Sequence, residues 1–483
     1  MADHYKRRDV LKATGGAATA ASFGLAGCIA GDSDDDDDGG DGDDGGDTSG
    51  GGDDGGGSGD GGGGDETVSG TVKVGVIQPT SGDLQYYGLQ SLWGFLSGLS
   101  YKADSAPPNV TSAGTTSIDV GDLTYELHIE DSQFAPDQAQ SVATTLVEDE
   151  EVDVLFGTAS SGSARRVIQN VAVPSSTPIV VGPAAAADIT SNSDYCNEMV
   201  FRASENTAMD ARSGGRYVAQ ETDVESVYIM AADYSFGRAV ANNYTEVLEA
   251  NGIEIAGTDF VPRGYSEFEG HFQNAVDAGA DAVIGGFTVV TLPAFLSTGL
   301  AGGYGLRMFG GFATRITANA VGQVAANAIG EPLTAEKIQD AKLGPFTTRY
   351  HWNQYDNEIN DWFVENYANV YGTLPDLFTS GTFTAASSIH QGVQASGSTS
   401  GADIAEAMRG MTVTDTPKGT DGYTYQEYNN QARSAMTVAY PVPTTDEWAS
   451  NWDASIMPGE PIATVGADEV TLPADSDSMG CSL

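Results

Sequence analysis

The sequence predicts an α/β protein of two doubly wound parallel-sheet lobes joined by a multi-crossing hinge. Three observations carry this expectation. Short apolar runs rich in β-branched residues alternate with longer segments of helical period, the pattern of βαβ units feeding a parallel sheet. The alternation runs through twice, with a break near Phe201. About 415 residues remain once a leader and a low-complexity segment are set aside, too many for one ordinary core and suited to two.

In the first series TVKVGVIQP (from Thr71) leads into an amphipathic stretch from Leu84 to Lys102. YELHIED (Tyr125) leads into Pro136 to Asp149, VDVLFG (Val152) into Ser163 to Val171, and PIVVGP (Pro178) into a short alanine turn. The segment Ala103 to Gly121, rich in Pro, Ser and Thr, reads as a surface insertion. The second series is SVYIMAAD (Ser226), EIAGTDFVP (Glu254), DAVIGGF (Asp281) and LRMFGGF (Leu306), spaced by helical patterns such as Phe236 to Asn251 and Phe268 to Ala278. After about Pro345 the pattern turns helical, and it finishes with strand-like YTYQEYN (Tyr423) and SAMTVAYP (Ser434). A chain that builds one lobe, then another, then returns crosses between them several times, which makes a hinge. The expected limits are a first lobe over 68–200 with 350–417 returning to it, a second over 201–349 with 418–470 returning to it, and a tail over 471–483.

Residues 1–27 have the charged-then-apolar order of a signal peptide, and their apolar part is too short and too rich in glycine to span a bilayer stably. Arg7-Arg8-Asp9-Val10-Leu11-Lys12 resembles a twin-arginine export signal. Leu25-Ala26-Gly27-Cys28 resembles a lipobox, in which Cys28 becomes the lipidated first residue of the mature chain. Residues 28–67 are almost only Gly, Asp and Ser. With no apolar side chains to offset the entropy of ordering, this segment is expected to be a disordered tether. The aspartate run lacks the ligand spacing and closing glutamate of an EF-hand loop.

The formal charge is −47, with acids spread well beyond the tether. Nucleic acid is excluded as a partner, since binding it needs a basic surface. So acidic and lysine-poor a surface resembles those of haloarchaeal proteins, in which concentrated salt screens self-repulsion. Five histidines show no HExxH or other close ligand spacing, so neither a metal nor another cofactor is expected. Gly157-Thr158-Ala159-Ser160-Ser161-Gly162 has the wrong spacing for a nucleophile elbow, and there is no Walker loop. The chain is therefore expected not to be an enzyme. Cys196 and Cys481 either pair, tying the C-terminal tail to the chain near Phe201, or stand as two inert thiols. Two sequons, at Asn109 and Asn243, permit glycosylation outside the cell.

Taken in order, VGVIQPTSGDLQYYG (Val74), IEDSQFAPDQAQSVATTLVEDEEVDVLFGTASSGSA (Ile129), PIVVGPAAAADIT, FRASEN (Phe201), DYSFGRA (Asp233), IGGF (Ile284) and TPKGTDGYTYQEYNNQ (Thr416) resemble the type I periplasmic binding proteins for branched-chain amino acids, urea and short-chain amides. The resemblance runs from Thr71 to about Tyr440. It implies a Venus-flytrap fold holding a ligand between the lobes, at the carboxyl ends of the strands. Ser161, which follows VDVLFG and opens a helix, would offer its hydroxyl and nearby N–H groups to a carboxylate or carbonyl. Ala184 and Ala186 match positions where the family presents a backbone carbonyl and a hydroxyl, and alanine at 186 removes the hydroxyl. Tyr87, Phe236, Phe287 and Phe312 match ligand-facing positions. At Phe312 amino-acid-binding members carry a glutamate for the ligand's ammonium group, and a buried ammonium without an anion is costly. The departure points away from a branched-chain amino acid and toward an amide, a carboxylate or an aromatic solute.

The function so implied is that of a lipid-anchored, monomeric solute receptor delivering its ligand to an ABC permease and its ATPase subunits at the extracellular face of the membrane. A ligand-sensing subunit for a separate transducer is the alternative, and an exported hydrolase is a third class that the scarcity of histidine disfavours.

Overall fold

The computed structural model describes residues 68–311 and 314–483. The expectations for the leader, for Cys28 and for the tether lie outside the described residues, as does Phe312. No helix among the described residues is long and apolar enough to cross a membrane.

The first sheet is built from β1 (Gly70–Gln78), β2 (Gly114–Val120), β3 (Leu123–Asp131), β4 (Val154–Gly157), β5 (Ile179–Val181) and β6 (Val200–Arg202). Its order is β2-β3-β1-β4-β5-β6, parallel except for β2. Val72, Val74 and Val76 face one core and Ile77 the other, all fully buried, as a parallel strand covered by helices on both sides requires. β2 falls within the segment read as an insertion. There the β-branched run Thr115 to Val120 buries Ile118 and Val120, and Gly121, at a φ of 61°, turns the chain back into β3.

The second sheet contains β7 (Ser226–Ala232), β8 (Glu254–Val261), β9 (Ala282–Gly286), β10 (Arg307–Gly311) and β11 (Leu343–Thr348), all parallel. The sequence suggests no strand between LRMFGGF and the helical pattern after about Pro345. The structure instead carries β11 through that proline, fully buried beside β10.

The two lobes share one device at the start of their first helix. The helix Gln85–Lys102 follows β1 and the helix Ser235–Ala250 follows β7. Each carries an aromatic residue and then a glycine in its first turn: Tyr87-Gly88 and Phe236-Gly237. A Cβ on Gly88 would lie 2.0 Å from the Pro79 carbonyl oxygen, and one on Gly237 would lie 2.1 Å from that of Ala232. Only glycine lets the helix press this closely on the end of its strand, which holds the preceding aromatic residue at the strand's carboxyl end.

After β11 the chain returns to the first lobe. The helix Thr379–Ser396 packs along Gln85–Lys102, where Gly94 and Gly98 leave room for Thr379, Thr382 and Phe383. A small sheet of β12 (Thr412–Val413), β13 (Tyr423–Tyr425) and β14 (Ala432–Arg433) follows, and Val413, Tyr423, Tyr425 and Ala432 are buried in the first lobe's core. The chain therefore leaves the first lobe after Arg433, and not at 417 as expected, because the two tyrosines bury their rings there. Likewise β6 extends the first sheet to Arg202, past the expected limit at 200.

β15 (Met436–Ala439) then joins β11 antiparallel, β16 (Pro441–Pro443) pairs with β17 (Ile456–Pro458), and β18 (Ala463–Val465) completes the second sheet. Cys196 and Cys481 are disulfide-bonded across a sequence separation of 285, fixing the C-terminal tail to the first lobe. Of the two sequons, Asn109 is exposed, whereas the Asn243 amide donates to Thr207 Oγ1 at 3.1 Å and to the Ala239 carbonyl at 2.6 Å.

Candidate functional site

Between the lobes lies a cavity of about 100 Å3, open to solvent at its mouth. It sits at the carboxyl ends of the strands, where the loops of doubly wound sheets converge. From the first lobe come Tyr87 after β1, Ser161 after β4, and Pro183 and Ala185 after β5. From the second come Tyr234 and Phe236 after β7, Phe287 and Thr288 after β9, and Arg349 after β11.

Tyr87, Ser161, Phe236 and Phe287 meet in one cavity. Ala184 and Ala186 do not line it. The Arg202 guanidinium donates to both of their carbonyl oxygens, at 3.3 and 2.6 Å, which turns these residues inward and leaves Pro183 and Ala185 on the cavity wall. Ser161 also differs in detail: the residue capping its helix is Ser160, whose Oγ accepts from the Ser163 N–H at 3.3 Å.

The hydrogen-bond roles of the wall can be assigned. The Ala186 N–H donates to Ser161 Oγ at 3.1 Å. The Val289 N–H donates to Tyr87 Oη at 2.7 Å, a bond that joins the two lobes. A hydroxyl that accepts in this way still has its own proton to give. Burial raises the Tyr87 phenol well above its ordinary pKa, so it keeps that proton.

The one carboxylate among the described lining residues is Asp210, and Arg349 holds it in a bidentate pair, Nε to Oδ1 at 3.0 Å and Nη2 to Oδ2 at 2.5 Å. Burial alone would lower the Arg349 guanidinium, but Asp210 outweighs it and holds the group above its ordinary value. The cavity therefore offers hydroxyl donors and aromatic walls, with its acid already neutralised.

At the rim the Tyr86 hydroxyl donates to Asp376 Oδ2 at 2.7 Å, and the Arg315 guanidinium lies 5.6 Å from the Tyr86 ring centroid. Burial pushes the Asp376 carboxyl up to about 6, against the opposing pull of the Tyr86 hydroxyl and Arg315. Arg315 opens the second-lobe helix Arg315–Ile329, so this contact also spans the cleft. The Phe378 ring, 4.5 Å from that of Tyr87, closes the first-lobe side.

Behind the cavity the crossings between the lobes are bound by a buried ion pair, Glu205 to Lys418 at 2.7 Å, with side chains 1% and 2% exposed. Glu205 Oε1 also accepts from the Tyr423 hydroxyl at 2.5 Å and the Ser434 hydroxyl at 3.0 Å. Lys418 donates in addition to the Ala435 carbonyl at 2.7 Å. Burial would raise the Glu205 carboxyl, but Lys418 and Tyr423 hold it below the usual carboxylate range. Close by, Arg202 donates to Gln431 Oε1 at 2.6 Å and Thr190 Oγ1 at 2.7 Å, and Gln431 Nε2 donates to the Ser204 carbonyl at 3.0 Å.

A family model described as periplasmic binding protein matches residues 71–444. The chain belongs to this family. Solved structures with the same fold include an ABC-type branched-chain amino acid transporter protein from Rhodopseudomonas palustris CGA009, at 24% identity and a TM-score of 0.62, covering 83% of this chain and 98% of that one. A solute-binding protein from R. palustris in complex with benzoate has 19% identity and a TM-score of 0.65, covering 86% and 100%. An amino acid ABC transporter substrate-binding protein from Pseudomonas fluorescens Pf-5 has 18% identity and a TM-score of 0.68, again covering 86% and 100%. A comparison with curated proteins finds no match.

In this periplasmic binding protein, then, the interlobe cavity is the candidate ligand site and the crossings are the candidate hinge. Sequence reasoning missed Tyr234, Thr288, Asp210, Arg349 and Phe378. Tyr234 carried a usable signal, since it stands two residues before Phe236 in DYSFGRA. Asp210 and Arg349 carried none, because 139 residues of chain separate them.

Proposed function

We propose that this protein is the extracytoplasmic solute-binding subunit of an ABC importer, held to the membrane by a lipid on Cys28, that closes on a small organic acid or amide and hands it to a permease. The observation that carries the ligand class is the wall chemistry. Tyr87 and Ser161 each accept from a backbone N–H and are left as donors, while Asp210 is bound by Arg349. Such a wall receives acceptor oxygens and has no free carboxylate, among the described residues, for an ammonium group. Phe312, where the family's amino-acid binders place an acid, supports the same reading. Proteins of this fold occur in complex with benzoate, 4-hydroxybenzoate and 3,4-dihydroxybenzoic acid, which makes aromatic carboxylates the first candidates. The net charge of −47 supports a setting of concentrated salt.

The test is a thermal-shift screen of the purified protein in molar salt. Benzoate and its hydroxylated forms are expected to raise the melting temperature, and leucine and valine to leave it unchanged. A rise with leucine or valine and none with the aromatic acids would contradict the assignment.

A further inference from the structure

The second-lobe wall of the cavity holds two hydroxyls that the fold does not use. Thr288 follows β9 and is 6% exposed, and Tyr234 follows β7. Tyr234 Oη and Thr288 Oγ1 are both shielded from solvent, and neither makes a hydrogen bond of ordinary geometry, although the two side chains face each other. Elsewhere in the cavity the threonine hydroxyls are engaged: Thr347 bonds Ser213 at 2.5 Å, and Thr348 donates to Gln354 Oε1 at 2.8 Å. A buried hydroxyl without a well-formed bond is costly, and two that meet only each other on a binding wall leave a place for an oxygen of the ligand.

The surroundings indicate what completes it. Burial pushes the Tyr234 phenol up to about 12, opposed by Thr288 and by the Arg263 charge, so it stays a donor at neutral pH. Arg263 is exposed, its guanidinium 5.7 Å from the ring centroid of Phe134, which lines the cavity. The Phe236 ring lies 6.2 Å from that of Tyr234, and Phe287, next to Thr288 in the chain, lines the same cavity. The position is therefore an oxygen-binding spot set between aromatic rings, in the lobe opposite Ser161.

We propose that Tyr234 and Thr288 form a second polar subsite that binds an oxygen substituent on the solute, so that the preferred ligand is an aromatic acid with a ring hydroxyl and not the bare hydrocarbon acid. This rests on the reading of the cavity as a site for acids. A solute held by Ser161 in one lobe and by this pair in the other would bridge the cleft and favour its closed form. A site built to hydrogen-bond a hydroxyl discriminates strongly against the analogue lacking it, since its own polar groups are then left unpaired.

The experiment is calorimetric titration of the full protein with benzoate, 3-hydroxybenzoate and 4-hydroxybenzoate, repeated on the Tyr234→Phe and Thr288→Val double variant, with melting curves confirming that the variant folds. At least one hydroxybenzoate is expected to bind the native protein about tenfold or more tighter than benzoate. In the variant that advantage, taken as the ratio of the two affinities in the same protein, falls below about twofold. Equal affinities in the native protein, or an advantage that survives in the variant, would overturn the subsite while leaving the acid-binding reading intact. Failure of all three acids to bind would overturn both.

Discussion

The cavity wall and the crossing bundle behind it are both buried and both polar, yet they treat their hydrogen bonds in opposite ways. In the bundle, Glu205 meets Lys418, Tyr423 and Ser434, and Arg202 meets Gln431, Thr190 and the Ala186 carbonyl. In the cavity, Tyr234 and Thr288 have no well-formed bond, and Ser161 and Tyr87 keep a proton to donate. A satisfied buried network fixes a conformation; an incomplete one marks where something else must fit. The difference assigns structural work to the crossings and recognition to the wall, and it can be broken from either side.

The largest effect is expected at the ion pair. Glu205→Gln leaves the Lys418 ammonium buried without its partner, a change that costs about 3–5 kcal/mol. Denaturant unfolding should show this loss, and a loss below about 1 kcal/mol would mean that the crossings are not held as described.

Asp376 at the rim lies between the two cases, and its effect is read through pH. Its carboxyl is raised to about 6 by burial, so the folded state holds the proton more tightly than the unfolded chain does. Ionising it therefore costs stability as pH rises from the ordinary carboxylate range through about 6, on the order of 3 kcal/mol at most. The native protein should lose stability over that window relative to Asp376→Asn, measured at equal salt. Parallel curves for the two proteins would remove Asp376 from the account.

On the wall, Ser161→Ala removes a donor to the ligand without opening the core. Affinity for an aromatic acid should fall by roughly tenfold or more, corresponding to about 1.5–3 kcal/mol for a hydrogen bond to a charged group. Because the buried Ala186 N–H also loses its acceptor, unfolding stability should fall as well, by about 1–3 kcal/mol. An affinity for the acid that stays within about threefold of native would assign Ser161 to the scaffold. The smallest effect is expected at Tyr87→Phe, which removes the interlobe bond to Val289 and weakens binding by about 0.5–1.5 kcal/mol in the same titration.

Much of this arrangement was legible in the sequence. The strands densest in apolar residues, such as VKVGVI and VDVLFG, read correctly because burial on both faces toward their carboxyl ends leaves a nearly continuous apolar run there. β2 was hidden by the Pro- and Ser-rich stretch before it, and β11 by the Gly344-Pro345 pair at its centre. At the site, Tyr87 and Phe236 were found because they match ligand-facing positions of the family the sequence resembles, and the structure shows that the glycine after each lets the helix press on the end of its strand. Ala184 and Ala186 were misassigned because their facing depends on Arg202, a buried cation whose reach back to their carbonyls no local pattern reveals. The Asp210–Arg349 pair is set by how the lobes join, and that is written nowhere near either residue.

The most direct test of the account is a crystal structure of the protein with 4-hydroxybenzoate. The account predicts electron density for the acid in the interlobe cavity, with Ser161 Oγ within hydrogen-bond distance of one end and Tyr234 Oη of the other. Density for the acid outside the cleft, or Asp210 released from Arg349 to face an ammonium-bearing solute carried over from the cell, would contradict it.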